Sequence, residues 1–327
     1  MKVFVYNWRD FDEKAYFERF CSEFGFELGY TVEKPTMDNI ELARGSDFIS
    51  IITTPITAEM LDRLKEMGVR LISTRTIGYN HIDVAHAKEI GMTVTNVTYD
   101  PEGVADYTVM MILMAVRKVD AISARGARND FTLDGLMGRC LHDLRIGIIG
   151  AGKIGCSVLR DLSGFGCELF YANRSENKEA SKYAERLETD DLLKTCDVVS
   201  LHLELCPETE HVIGDRELAL MKQGAILVNT ARGPLVDTDA LVRSVKSGHL
   251  GGAALDVIEG EFDMCYYDRS GDGYRNRYLE AVRSQPGIIH THHMAFYYET
   301  AVRDMVYNSL YSMKKFSEGG DVPHRLA

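Results

Sequence analysis

An α/β chain built from two doubly wound parallel sheets is the fold class this sequence predicts. Three observations predict it. Strand-like and helix-like segments alternate over roughly the first hundred residues and alternate again after Leu144. Three glycines in the spacing G-x-G-x-x-G, at Gly150, Gly152 and Gly155, sit between the apolar runs Ile146–Ile149 and Glu168–Ala172. The chain has 327 residues, more than one hydrophobic core usually organises.

Taken in order, residues 1–8 alternate toward an apolar strand and Glu13–Phe24 has helical spacing. Phe26–Tyr30 and Asp47–Ile52 predict two further strands. Thr57 is a fair N-cap for a helix that runs to Met67. Leu71–Thr74 is a strand ending in the polar loop Arg75–His81, Asp83–Ile90 a helix and Thr93–Val97 a strand. Pro101 suits the first turn of a long helix, Glu102–Asp120, and Ala121–His142 reads as a polar linker. Strand, tight turn, helix and strand then follow from Leu144 to Ser175. Gly150 permits the turn, Gly152 lets a pyrophosphate approach the backbone, and Gly155 lets helix and strand pack closely. At Lys153 and Ile154 the helix start offers free N–H groups and a partial positive charge. After a helix closing at Leu192–Leu193 come strand Asp197–His202, helix Asp215–Met221, strand Ala225–Val228, helix Asp239–Ser247, and strands Gly252–Val257 and Gly287–His290. That gives the six strands of a complete, Rossmann-like dinucleotide-binding sheet. Phe262–Gln285 reads as an irregular insertion, and Thr300–Phe316 as a last helix that fits either domain.

Composition is that of a soluble globular protein, 45% apolar and 26% charged. A net charge of −12 argues against nucleic acid and anionic membrane as partners. Any anion site must therefore be built locally, from arginines, backbone amides and helix ends. The longest apolar run, Tyr107–Val116, is far short of the ~20 residues that span a bilayer, and Met1–Tyr6 does not read as a signal peptide. Seven cysteines without a C-x-x-C pair point to free thiols in a reducing cytoplasm rather than to a disulfide framework or a zinc site.

Chemistry collects at three strand ends, where open α/β sheets place ligands. In Asn229–Pro234 a strand ends in Arg232, held by a Gly-Pro turn. The bland reading is a surface arginine; the functional one is a planar guanidinium gripping a carboxylate. In Ala254–Glu261 three acids, Asp256, Glu259 and Glu261, crowd one strand end. In His290–Phe296 the histidines 290, 292 and 293 raise a metal reading. Adjacent extended side chains diverge, however, so one catalytic imidazole is favoured and no metal is assigned. Together these residues suit hydride transfer. A histidine exchanges the proton, a carboxylate stabilises the imidazolium, and an arginine positions a 2-oxo or 2-hydroxy acid.

The glycine motif, Ala231–Asp237, the Gly252–Glu261 stretch and His293 resemble the D-specific 2-hydroxyacid dehydrogenases over almost the whole chain. The resemblance implies that Arg232 binds the substrate carboxylate and carbonyl, that Glu261 pairs with the acid/base His293, and that Asp256 meets the nicotinamide amide. The Ile77–Gly78 backbone would take the substrate carboxylate, and Tyr99 matches an active-site tyrosine. Leu203, Thr209, Thr230 and Ala231 fall at cofactor-contacting positions. It also implies a discontinuous substrate domain, 1–100 with 299–327, around a dinucleotide domain at 101–298. Family members are usually homodimers joined through the cofactor domain, with the helix from Glu102 involved. The insertion Phe262–Gln285 resembles the D-lactate dehydrogenase branch. Gly78–Asp83 and Ala172–Ser175 are most similar to the D-lactate dehydrogenases of vancomycin-resistance operons.

Three departures shape the expectation. Asn173 stands where many members carry an acid that repels a 2′-phosphate, and Arg174 and Ser175 follow it, so NADP(H) is favoured over NAD(H). A proline usual before the histidine pair is missing at Thr291, and His293 is taken as catalytic from its spacing to Ala295–Tyr297. Ile51 and Ile52 replace aromatic residues that narrow the pocket, which with Met294 and Phe296 leaves room for more than a methyl group. The expected reaction reduces pyruvate or a close analogue, with branched-chain or aromatic 2-oxo acids as the alternative. A cofactor-sensing corepressor, the reading from another class, calls for disordered extensions or a peptide groove; this chain stops soon after its last helix.

Overall fold

A computed structural model describes Met1 to Ala327, the side chain of Asp263 excepted. It divides into two compact units, Met1–Asp100 with Tyr297–Ala327, and Pro101–Phe296. The return to the first unit begins at Tyr297, against the 299 of the sequence reading.

The first unit runs β1 (Lys2–Val5), α1 (Lys14–Phe24), β2 (Glu27–Tyr30), β3 (Phe48–Ile51), α2 (Ala58–Glu66), β4 (Leu71–Thr74), α3 (Val84–Glu89) and β5 (Thr93–Thr95), and gains the returning helix Glu299–Ser317. Its strands pair in parallel in the order β2-β1-β3-β4-β5. Strand alternation sorts the side chains onto two faces. Ile49, Ile51 and Ile72 pack with Met60, Leu61 and Leu64 of α2. Val3, Val5, Phe48 and Leu71 pack with Phe17 and Phe20 of α1 and with Val306, Leu310 and Met313 of the returning helix. Both faces are covered, which is why β3 and β4 are buried throughout. This corrects one expectation. Ile51 lies wholly inside the core, so the alternation leaves it no surface for a substrate. The same unit buries Arg75 completely. Its Nε meets Glu13 Oε1 at 3.0 Å, Nη1 meets Ser50 Oγ at 3.1 Å, and Nη2 donates to the carbonyls of Tyr6 and Asn7 at 3.3 Å.

The second unit runs α4 (Glu102–Val116), α5 (Val119–Gly126), β6 (Arg145–Ile149), α6 (Lys153–Ser163), β7 (Glu168–Ala172), β8 (Glu185–Arg186), α7 (Thr189–Thr195), β9 (Val198–Leu201), α8 (Asp215–Leu220), β10 (Ile226–Asn229), α9 (Thr238–Lys246), β11 (Gly252–Leu255), α10 (Arg277–Ser284) and β12 (Ile288–His290). All pairs are parallel, in the order β12-β11-β10-β9-β6-β7-β8. Residues of α4 and α6 cover one face of this sheet and residues of α7, α8, α9 and α10 the other.

Three sequence expectations need correction here. The helix expected over 102–120 ends at Val116, because Lys118 turns left-handed (φ 53°) and the Val116 carbonyl accepts from the Arg139 N–H at 2.9 Å instead of from a next helical turn. The chain resumes as α5, so the supposed linker is partly helical. The insertion is not wholly irregular either. Asn276 caps α10 by accepting from the Tyr278 and Leu279 amides at 2.9 and 3.0 Å, and Leu279 and Val282 are buried. The sheet has a seventh strand, β8, whose two exposed residues are too short and polar to leave a pattern. Helices α2, α3 and α9 carry side-chain caps from Thr57, Asp83 and Asp237. All seven cysteines are free thiols. No helix among the described residues is long and apolar enough to cross a membrane.

Candidate active site

One row of paired residues crosses six strands of the second unit in register: Ala172, Ile149, Leu201, Asn229, Leu255 and His290. Because the strands are parallel, the chain leaves all six at this level on the same edge. Asn173, Gly150, His202, Thr230, Asp256 and Thr291 are the residues that follow. Every functional segment the sequence singled out in this unit starts here.

At β6 the glycines are forced by space and backbone. Gly150 has φ 96°, and a Cβ there would lie 2.5 Å from the His202 carbonyl oxygen. A Cβ on Gly155 would lie 2.3 Å from the Gly150 carbonyl oxygen, so the first turn of α6 rests directly on the strand end. Gly152 differs, since a Cβ there meets nothing within 4 Å. It caps α6 with open space before it, and the amides of Lys153 and Ile154 belong to the helix start whose N–H groups have no carbonyl one turn earlier. That is the cradle a pyrophosphate requires, so the residues present fit a dinucleotide.

Arg232 stands three residues past the row on the β10 side. Asn229 shapes this turn twice, donating from Nδ2 to the Arg232 carbonyl at 2.9 Å and accepting from the Ala231 N–H at 3.0 Å. Gly233 presses it onto the neighbouring loop, since a Cβ there would lie 2.2 Å from the Ile258 carbonyl. Arg232 is half-buried, donates from Nη1 to the Ala231 carbonyl at 2.6 Å, and makes no ion pair among the described residues. Thr230 is occupied by a hydroxyl pair with Thr108 at 2.8 Å.

On the β11 and β12 side the two acids have different tasks. Glu261 accepts from the Ile258 N–H at 3.0 Å through Oε2 and meets His293 Nδ1 at 2.8 Å through Oε1. A carboxylate can only accept, so Nδ1 carries the hydrogen and Nε2 is left for chemistry. Asp256 has no exposed surface. Its Oδ1 accepts from the Thr291 hydroxyl at 2.6 Å and the Met294 N–H at 2.9 Å, and its Oδ2 from the Ala295 N–H at 2.9 Å. Its own carbonyl accepts from the His293 N–H at 2.7 Å. Asp256 thus holds the loop on which His293 adopts a left-handed backbone, φ 61°. Phe296 packs edge-on to His293 with ring centroids 6.0 Å apart, and Tyr266 lies 5.7 Å from Phe296 and 6.3 Å from His293. Sequence reasoning missed Thr291, Tyr266 and the Tyr107 hydroxyl, which burial pushes up against a hydrogen bond with Thr291. It also passed over a second histidine–acid pair. His211 Nε2 meets Glu259 Oε1 at 2.8 Å, and Glu259 Oε2 accepts from the Thr238 N–H at 2.9 Å; the Glu259 bond raises the His211 pKa. Asp-Val-Ile-Glu-Gly-Glu was a signal for two such pairs, one per glutamate.

The remaining cofactor candidates lie on loops leaving the same row. Asn173 donates to the Ser175 carbonyl at 3.1 Å, closing a turn that leaves Arg174 and Ser175 exposed. Leu203 is half-buried on the loop after β9, and Thr209 pins that loop by accepting from the Cys206 N–H at 2.9 Å and donating to the Glu204 carbonyl at 2.7 Å. In the first unit the Ile77 and Gly78 carbonyls are taken by Asn96 and Thr76, each at 2.6 Å, which fixes these peptides. Tyr99 is half-buried and packs edge-on to Tyr298.

An oriented imidazole and a turn that fits a pyrophosphate, both at one edge of one parallel sheet, are the groups a nicotinamide-linked dehydrogenase needs. Comparison with known proteins narrows the class. Residues 109–295, more than half of the chain, match the model of the D-isomer specific 2-hydroxyacid dehydrogenase, NAD binding domain. The chain is 42% identical over 296 residues to the D-specific alpha-keto acid dehydrogenase of Enterococcus faecium, covering 90% of this chain and 91% of that one. Among solved structures, the apo D-lactate dehydrogenase of Escherichia coli superposes with a TM-score of 0.88 at 30% identity over 100% of both chains. The NAD-complexed D-isomer specific 2-hydroxyacid dehydrogenase of Lactobacillus delbrueckii ssp. bulgaricus gives 0.82 at 30% identity over 99% of both. The chain belongs to the D-isomer specific 2-hydroxyacid dehydrogenases. It is a NAD-dependent oxidoreductase that reduces 2-oxo acids.

Proposed function

We propose that the substrate is a small 2-oxo acid, pyruvate or a close analogue, reduced to the D-2-hydroxy acid. The observation that carries this reading is Arg232, a half-buried guanidinium with no carboxylate partner among the described residues, on the row of strand ends from which the Glu261-oriented His293 also emerges. Arg232 grips the substrate carboxylate and polarises the 2-oxo group. Bound nicotinamide supplies the hydride. His293, as the imidazolium, gives its Nε2 proton to the developing alkoxide while its Nδ1–H goes on donating to Glu261. Glu261 stabilises the charged ring before transfer and fixes its plane. The Asp256 carboxylate has no exposed surface to offer the nicotinamide amide, which corrects that expectation; its hydrogen bonds keep the His293 loop in place. In the first unit, the Ile77 and Gly78 amides are assigned to the carboxylate and Tyr99 to the substrate; Ile51 and Ile52 are both buried and take no pocket role.

NADP(H) is the favoured cofactor form within this reading. Asn173 carries no charge to repel a 2′-phosphate, and Arg174 and Ser175 are exposed beside it. The ratio of kcat/KM for NADPH and NADH tests this part alone; a strong NADH preference overturns it. The favoured assembly is a cytoplasmic homodimer joined through the second unit. Phe131, Leu133 and Met137 there are 78%, 85% and 87% exposed, and a partner subunit would cover them. Light scattering reads this directly. Branched-chain or aromatic 2-oxo acids are the second reading. A panel of 2-oxo acids followed through cofactor absorbance ranks them, and no turnover with any member overturns the substrate class.

A further inference from the structure

Beside the Glu261–His293 pair lies a group that proton exchange does not use. Cys265 is a free, buried thiol with no hydrogen-bond partner among the described residues. It is placed by a single turn of backbone. The Met264 and Cys265 N–H groups both donate to the Glu261 carbonyl, at 2.9 and 3.0 Å, which brings the side chains of residues 261 and 265 to one side. The left-handed His293 brings its ring to the same point. One ligand atom each from Glu261, Cys265 and His293 lies within 4.8 Å of the others.

Tetrahedral zinc, with bonds of about 2.0–2.3 Å, holds its ligands roughly 3–4 Å apart, so small side-chain rotations suffice for convergence. The donor set selects the ion. Thiolate, imidazole and carboxylate together suit Zn²⁺ or Cd²⁺ and disfavour Mg²⁺ and Ca²⁺, which take oxygen ligands. The charges balance as well, since a carboxylate and a thiolate neutralise a divalent ion at a site with little solvent. An outer hydrogen bond already orients one ligand, because the Ile258 N–H holds Glu261 Oε2. The adjacency of His292 and His293 argues against a site made from the histidines alone, and His292 is exposed and outside this cluster.

We propose that Glu261, Cys265 and His293 form a reversible inhibitory site for a thiophilic divalent cation, Zn²⁺ in type, with a water molecule as the fourth ligand. Binding expels the Cys265 thiol proton and the hydrogen shared by His293 and Glu261, and the imidazole can then no longer exchange a proton with substrate. The regulatory consequence rests on the reading of His293 as the acid/base; the site itself does not.

The test uses the full chain, stripped of metal, titrated with Zn²⁺ by equilibrium dialysis and with Co²⁺ by absorbance. The expected result is one equivalent of bound Zn²⁺, a thiolate-to-cobalt charge-transfer band, and turnover that falls as Zn²⁺ is added. In Cys265→Ala and Cys265→Ser the band vanishes and Zn²⁺ binds at least about tenfold more weakly. Inhibition in each variant is referred to its own metal-free turnover. Wild-type protein with no thiolate band, or variants as zinc-sensitive as the parent, overturns the site. The wild-type band decides the question even where a variant does not fold. A chain that shows the band but turns over no 2-oxo acid retains the site and loses the proposed function. Turnover without the band does the reverse.

Discussion

Asp256→Asn removes one oxygen from a carboxylate that holds three donors of the His293 loop in place. In the better orientation, the amide oxygen keeps the Thr291 hydroxyl and the Met294 N–H. Its NH2 then faces the Ala295 N–H, which now donates to Oδ2 at 2.9 Å. The opposite orientation sets the NH2 against two donors, of which only the Thr291 hydroxyl can turn. One charge-assisted hydrogen bond is lost in a fully buried place, which costs about 1.5–3 kcal/mol, and a backbone N–H is left without a partner. The loop holds His293 in a left-handed conformation that relaxes when the restraint weakens. If about 2–3 kcal/mol appears at the transition state, kcat falls roughly 30- to 150-fold. Steady-state kinetics with saturating cofactor and a 2-oxo acid, alongside a thermal melt, read both halves of the effect. The expected pattern is a large loss in kcat, a small change in KM for the 2-oxo acid, and a lowered melting temperature. A variant with kcat within about twofold of the parent would refute the claim that Asp256 positions the loop, because even small misplacement of a reacting group is expensive.

Other perturbations separate the remaining elements. Gly155→Ala drives a Cβ to 2.3 Å from the Gly150 carbonyl oxygen and should lower both melting temperature and cofactor binding; Gly152→Ala meets no protein atom within 4 Å and should weaken only cofactor binding, as read by nicotinamide fluorescence. Glu13→Gln leaves the fully buried Arg75 with neutral partners and should destabilise the protein by about 3–5 kcal/mol in urea unfolding; an unchanged midpoint would show that Glu13 is not its counter-charge. His211 has its pKa raised, first by the Glu259 hydrogen bond and further by Asp237 and Glu210. Its stabilisation is therefore complete below the unfolded value and fades as pH rises through the folded one. The stability gap between the parent and His211→Gln should be larger near pH ~6 than near pH ~9, and small, under about 1 kcal/mol, because the ring is partly exposed. A gap that grows with pH contradicts this sign.

The sequence was most informative where one local rule governs a residue. The parallel strands announced themselves as apolar runs such as Ile146–Ile149 and Phe48–Ile51, because both faces of each sheet are covered. The glycine motif was legible because Gly150 and Gly155 are demanded by backbone angle and close packing within a few residues. What escaped was decided by distant partners. The break between α4 and α5 depends on the Arg139 N–H taking the Val116 carbonyl, and nothing in residues 116–119 states it. Strand β8 exists because Phe170 and Tyr171 of β7 offer an edge to two polar residues. The site was half legible. Glu261 and His293 stand 32 residues apart, and only a known pattern couples them. The structural tasks of Asp256 and the proximity of Cys265 to the pair arise from the register of β11 and β12 and from one backbone turn, which composition does not record. Ile51 shows the opposite error. A position read as pocket wall is core, because strand alternation outranks analogy.

His293→Ala tests the central claim most directly, with binding and chemistry measured separately. Cofactor affinity is read by fluorescence, and reduction of the best 2-oxo acid by cofactor absorbance under single-turnover conditions. The account predicts near-parental cofactor binding and a rate lowered by about 10² to 10⁴. A variant that binds cofactor and reduces the 2-oxo acid at near-parental rate would contradict it, and would move the proton exchange to another group.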